Sequence, residues 1–117
     1  MDLKEKPEQL ISIMGTDGLR RVMTVKNLIF IERIKNSSNC AVYYRLPNSD
    51  FRSFETRLPL ADFEEILPNQ FVKANRSAII NTRHVLGYNN CEVKIMVGEN
   101  IQYMPLTYPI GHKFIEL

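Results

Sequence analysis

Tryptophan is absent from the 117-residue sequence, and cysteine and histidine occur only twice each. Cys40 and Cys91 lack Cys-x-x-Cys spacing, and His84 and His112 form no His-x-x-x-His pair, which argues against a structural metal site. Two such cysteines without a secretion signal are expected as reduced thiols rather than a disulfide. No apolar run approaches the roughly 20 residues of a membrane-spanning helix, and the first residues lack the apolar core of a signal peptide. A cytoplasmic protein with no membrane partner is therefore expected. Phosphate-cradling glycine motifs are missing, and no Gly-x-Ser-x-Gly elbow surrounds Ser77. Cys91 and His84 are neighbours only in sequence, and the adjacent Glu64 and Glu65 cannot pair as catalytic acids. The expectation is a protein that is not an enzyme and takes no cofactor.

What remains is ordinary for one globular domain: 44% hydrophobic and 24% charged residues. Residues 1–9, charged and interrupted by Pro7, read as a flexible tail or linker end, and 10–117 as the domain. Short extended segments dominate it. Leu10 to Met14 ends at a Gly-Thr-Asp-Gly turn, followed by Arg20 to Thr24 and Leu28 to Ile34. Asn36-Ser37-Ser38-Asn39 reads as a loop. Cys40 to Leu46 alternates, with Cys40, Val42, Tyr44 and Leu46 on one face, and Phe51 to Thr56 returns as its hairpin partner. Leu60, Phe63 and Leu67, flanked by Ile66, share one helical face between Pro59, placed at the first helical position, and Pro68. Beyond lie Phe71 to Asn81, Val85 to Asn89, Glu92 to Val97 and Ile101 to Leu106. In the last hairpin, with Gly98-Glu99-Asn100 as its turn, Val93, Ile95 and Val97 are expected to meet Ile101 and Tyr103. The class is mainly β, with many short antiparallel strands and one short helix.

The net charge of +2 decides little, but its distribution is uneven. No acidic residue lies between Asn69 and Cys91, where Lys73, Arg76, Arg83 and His84 fall. A second concentration holds Arg20, Arg21, Lys26, Arg33 and Lys35, with Glu32 its only acid. Residues 73–81, KANRSAIIN, break strand alternation with Lys73, Asn75, Arg76 and Ser77 before turning apolar. Arginine can give two parallel hydrogen bonds to guanine or phosphate, asparagine can pair with adenine, and serine with backbone N–H groups suits phosphate oxygens. Asn75 and Ser77 can equally serve only the backbone of their own turn.

The stretch Phe71-Val72-Lys73-Ala74-Asn75-Arg76-Ser77-Ala78-Ile79-Ile80-Asn81 resembles the signature of the LytTR-type DNA-binding domains of bacterial transcription regulators. Leu28-Ile29-Phe30-Ile31-Glu32 is similar to that family's I-x-Y-I-E strand, and the acidic helix and the last hairpin, Val93 to Ile101, stand where the family has them. The resemblance covers roughly residues 11 to 114. It implies an elongated fold of small antiparallel sheets with one or two short helices, reading duplex DNA through loops. It further implies homodimers on repeated sites, and a receiver domain or sensor kinase as regulatory partner, as in response-regulator output domains. Carried over by position, Arg76 matches the groove-contacting residue, flanked by Asn75 and Ser77, and Lys73 of the same basic stretch joins the candidate set. Arg33, Lys35 and Asn36 match a second DNA-facing loop. Asn81 is assigned to capping backbone groups.

One departure from the family pattern stands out. Where the family has Ser-Arg opening a basic segment, this chain has Thr107-Tyr108-Pro109, with His112 and Lys113 following. Thr107, Tyr108 and Lys113 complete the candidate DNA-binding set. Tyrosine can donate one hydrogen bond to a phosphate but cannot make the bidentate guanine contact. The departure motivates an alternative, a protein-interaction module on the same fold with weak or lost DNA binding. A third reading is a single-strand binder stacking bases on Tyr43, Tyr44, Tyr88 or Tyr103.

Overall fold

The computed structural model describes residues 9–48 and 50–117, so nearly all of the tail expected over 1–9 lies outside the described residues. The chain forms β1 (Leu10–Met14), β2 (Arg20–Thr24), β3 (Leu28–Arg33), β4 (Cys40–Arg45), β5 (Phe51–Thr56), α1 (Leu60–Ile66), β6 (Phe71–Asn75), β7 (Ala78–Asn81), β8 (Val85–Tyr88), β9 (Glu92–Val97) and β10 (Asn100–Pro105). Short 3₁₀ turns cover Val25–Asn27, Thr82–His84 and Gly111–Lys113.

The apolar runs explain the architecture. Leu28 to Ile31 and Ala78 to Ile80 are buried along their whole length, because β3 and β7 sit inside a sheet covered on both faces. That sheet is five-stranded, in the order β5-β4-β3-β7-β6, and every pairing in it is antiparallel. On one face Leu28, Ile31, Val42 and Ile79 pack with Ile13 and Met23 of the β1–β2 hairpin and with Leu60 and Phe63 of α1. On the other, Phe30, Ala78 and Ile80 pack with Val93, Ile95 and Met104 of a three-stranded sheet ordered β10-β9-β8. The broken alternation of KANRSAIIN thus has two causes. The expected single segment is a hairpin, β6 and β7, and its second strand has no solvent face.

Asn81, fully buried at the end of β7, acts as the expected structural residue. Its Nδ2 donates to the carbonyls of Leu28 at 2.8 Å and Val25 at 3.3 Å, and its Oδ1 accepts from the Arg83 N–H at 3.0 Å. Tyr43, half-buried on the face of β4 that meets the second core, stacks on Phe30 with ring centroids 4.2 Å apart.

Three expectations need correction. Pro59 stands one position before the helix, with ψ of 154°, so Leu60 is the first helical residue. Ile66 flanks the apolar face but points to water, 69% exposed. The last hairpin closes on a two-residue turn, Gly98-Glu99, and pairs Val97 with Asn100. Val93 therefore meets Met104 and Ile95 meets Gln102, while Ile101 and Tyr103 lie opposite Met96 and Lys94 on the solvent face. Shortening the turn by one residue shifts the register and sends each side chain to the opposite face. Among the described residues no helix is long and apolar enough to cross a membrane.

Candidate nucleic-acid interface

Strand register brings together segments far apart in sequence. Arg33 pairs with Cys40 and Glu32 with Ala78, so the β3–β4 loop and the β6–β7 turn leave the same end of the five-stranded sheet. The Arg33 N–H donates to the Ser77 carbonyl at 2.7 Å, which joins loop and turn directly.

The β6–β7 turn consists of Arg76 and Ser77 between the paired Asn75 and Ala78. The Asn75 Oδ1 accepts from the Ser77 N–H at 2.8 Å, an Asx-type bond that lets two non-glycine residues reverse the chain. The Asn75 Nδ2 donates to the Pro105 carbonyl at 2.8 Å. One amide therefore sets the turn and ties it to the segment after β10. The strand is irregular between Lys73 and Asn75, at the fully buried Ala74. The Ala74 carbonyl accepts from the Thr107 N–H at 2.9 Å and the Tyr108 N–H at 3.3 Å. A bulge of this kind frees backbone groups from the ladder and re-aims neighbouring side chains.

Arg76 stands exposed on this held turn. Lys35 and Asn36 are exposed at the tip of the β3–β4 loop, where Asn36 adopts φ of 61°, a conformation that asparagine tolerates better than most residues. The loop is closed by the Ser37 N–H donating to the Ile34 carbonyl at 3.1 Å and the Ile34 N–H to the Asn39 carbonyl at 2.9 Å. Among the described residues, Arg33, Lys35 and Arg76 have no carboxylate within ion-pair distance; the ion pairs that form are Asp17–Arg21, Asp50–Arg52 and Glu64–Lys73. Glu32, half-buried behind this end, has its carboxyl pushed up by burial. The face therefore offers cations on short, internally bonded loops, suited to phosphates and base edges.

The candidate residues divide in space. Arg33, Lys35, Asn36, Asn75, Arg76, Ser77, Thr107 and Tyr108 belong to the three joined segments. Lys73 lies to one side, 3.4 Å from the Glu64 carboxylate of α1 and 5.7 Å from the Tyr108 ring centroid. Lys113 does not reach the turn. Its Nζ donates to the Asn69 carbonyl at 2.6 Å, before the start of β6 and hence at the far end of that strand. No sequence pattern marked Pro105 or Ala74, whose backbone carbonyls join the C-terminal segment to the turn. Neither side chain carries the chemistry, so only the fold reveals them.

Comparison with known proteins places this geometry. A search of curated proteins finds no match. Among solved structures, a LytTr DNA-binding domain from Bacillus cereus, described as part of a methyl-accepting/DNA response regulator, superposes with a TM-score of 0.58 at 17% identity. The superposition covers 86% of this chain and 87% of that one. At that identity the likeness carries the fold: small antiparallel sheets and a short helix in the same arrangement. A family model for the LytTr DNA-binding domain matches residues 20–104, from the start of β2 to the penultimate residue of β10. On that match the chain belongs to the LytTr DNA-binding domain family.

Proposed function

We propose that this domain binds duplex DNA sequence-specifically as the output of a bacterial transcription regulator, reading through loops rather than a recognition helix. The observation that carries the proposal is Arg76, exposed on a turn that Asn75 locks to both Ser77 and Pro105. An arginine held on a rigid turn loses less freedom on binding than one on a floppy loop, and its planar fork suits guanine or phosphate. Arg33, Lys35 and Asn36 supply the second contact from the neighbouring loop. Thr107 and Tyr108, anchored on Ala74, supply the third, with Tyr108 limited to single hydrogen bonds. Asn75 acts as the positioning residue, since both its Oδ1 and its Nδ2 hold backbone groups. Lys73 and Lys113 lie at the margin and add longer-range positive charge. Binding as a homodimer on repeated sites, under control of a receiver domain, extends the same reading.

Selection of bound duplexes from a randomised pool tests it. We expect a consensus to emerge, and Arg76→Ala to weaken binding to that consensus by about 1–3 kcal/mol with an unchanged melting temperature. A pool that stays random, or an Arg76→Ala variant that binds the consensus like the parent, overturns the proposal.

A further inference from the structure

The opposite end of the five-stranded sheet carries a second group of cations that the loops described above do not use. Lys26 precedes β3, Arg45 ends β4, and Arg83 and His84 follow β7; together with Asn27 they line one open cleft of about 460 Å³. Across the six residues of β3, at about 3.3 Å per step, this cleft stands about 17 Å from the Arg76 turn.

The His84 geometry is specific. Its Nε2 lies 2.7 Å from the Lys26 carbonyl oxygen, which can only accept, so Nε2 carries the proton and, in the neutral ring, Nδ1 is the free acceptor. Burial above all, helped by the Arg45 and Arg83 charges and opposed by the Lys26 hydrogen bond, holds this imidazole below its usual pKa. Among the described residues, no carboxylate pairs with Lys26, Arg45 or Arg83. The neighbouring carboxylates, Asp50 and Glu99, line an adjoining hollow that Arg45 also borders, where Asp50 leans toward Arg52 at 3.9 Å.

Three cations and a protonatable imidazole thus converge on a polar concavity without an internal counter-charge. Two guanidinium forks and an ammonium match the oxygens of a tetrahedral anion. The volume lies in the range of small-ligand sites, roughly 300–1,000 Å³, yet the lining holds little apolar surface for a hydrophobic ligand. We propose that this cleft binds a small phosphate-bearing ligand through Lys26, Arg45, Arg83 and His84, at a site separate from the DNA-reading loops. A dianion seated there favours the imidazolium by its own charge, against the burial and the neighbouring cations that hold His84 neutral, so binding draws a proton onto Nδ1.

The test is an NMR titration of the whole chain with inorganic phosphate, then pyrophosphate, at constant ionic strength. Saturable shifts confined to Lys26, Arg83 and the His84 ring are expected, with the His84 titration midpoint rising as phosphate is added. In an Arg45→Gln/Arg83→Gln double variant the affinity should fall roughly tenfold or more, since charge-assisted hydrogen bonds are lost. Lys26→Gln, at an exposed position, repeats the comparison if the double variant melts early. Shifts that rise linearly without saturation, or saturation undiminished in both variants, overturn the site. A duplex arm separates the two sources of phosphate. The double variant should bind a selected duplex as the parent does. Loss of duplex affinity in step with phosphate affinity makes the cleft a DNA-backbone contact and overturns the small-ligand proposal. The phosphate arm contains no DNA, so it stands or falls apart from the function of Arg76.

Discussion

Asparagine does structural work at two positions that look alike in sequence. Asn75 and Asn81 stand six residues apart, at the end of β6 and the end of β7, and both bind backbone groups of distant segments. Asn81 is the more deeply placed: its amide serves Val25, Leu28 and Arg83 together. Asn81→Ala removes the side-chain partner from all three groups, although the Val25 carbonyl still accepts from the Leu28 N–H, and we expect thermal or denaturant unfolding to show a loss of about 2–4 kcal/mol. A loss below 0.5 kcal/mol contradicts that role. The chemistry of Asn81 was legible because the signature includes it, whereas its three partners were not, since they lie on other elements. Tyr108 offers a second test. The resembling family has arginine here, so Tyr108→Arg should strengthen duplex binding by about 1–3 kcal/mol if the segment on Ala74 faces a base pair. A titration showing weaker or unchanged affinity removes the C-terminal segment from the reading surface.

Hairpins show at the level of elements where pattern reading succeeds and where it stops. Cys40, Val42 and Tyr44 alternate with Ala41, Tyr43 and Arg45 as expected, because β4 presents one face to each core. KANRSAIIN hid a turn because Arg76 and Ser77 carry no glycine or proline; the Asn75 side chain supplies what the backbone signal lacks. The β9–β10 register differs by one residue from the expected pairing because the run Gly98-Glu99-Asn100 leaves the loop length open. That turn depends on Gly98, at φ of 62°, where an added Cβ would stand 2.5 Å from a ring carbon of Phe51. Gly98→Ala should destabilise the protein by about 1–3 kcal/mol, read as a lowered melting temperature, and should broaden the resonances of β10. An unchanged melting temperature would show that the turn relaxes at no cost.

Charge at the scale of the whole molecule is ordered differently from charge along the chain. Arg33 and Lys26 belong to one basic run in sequence but stand at opposite ends of β3, and Arg76 and Arg83 are likewise split by β7. Runs of like charge therefore located basic residues without locating basic surfaces. The split also sets a pH response. His84 is held neutral in the fold, so below about pH 6.5 the unfolded chain takes up a proton that the folded one resists, and stability falls as the pH drops through the lowered folded pKa. Glu32, raised by burial, acts in the opposite sense: its share of stability is lost as pH rises from about 4.5 through its folded pKa. Thermal melts of the parent against His84→Gln should isolate the first effect, with the parent losing more stability between pH 7 and 5.5. Equal losses would remove His84 as the cause. The bonds from Ala74 to Thr107 and Tyr108 carry a last consequence, for the order of events during synthesis. The turn, the loop and the closing segment come from widely separated stretches of chain, and the last is made last. A chain that stops before Pro105 leaves the Ala74 carbonyl and the Asn75 amide without these partners, so turn, loop and closing segment are joined only after the residues beyond β10 have been added.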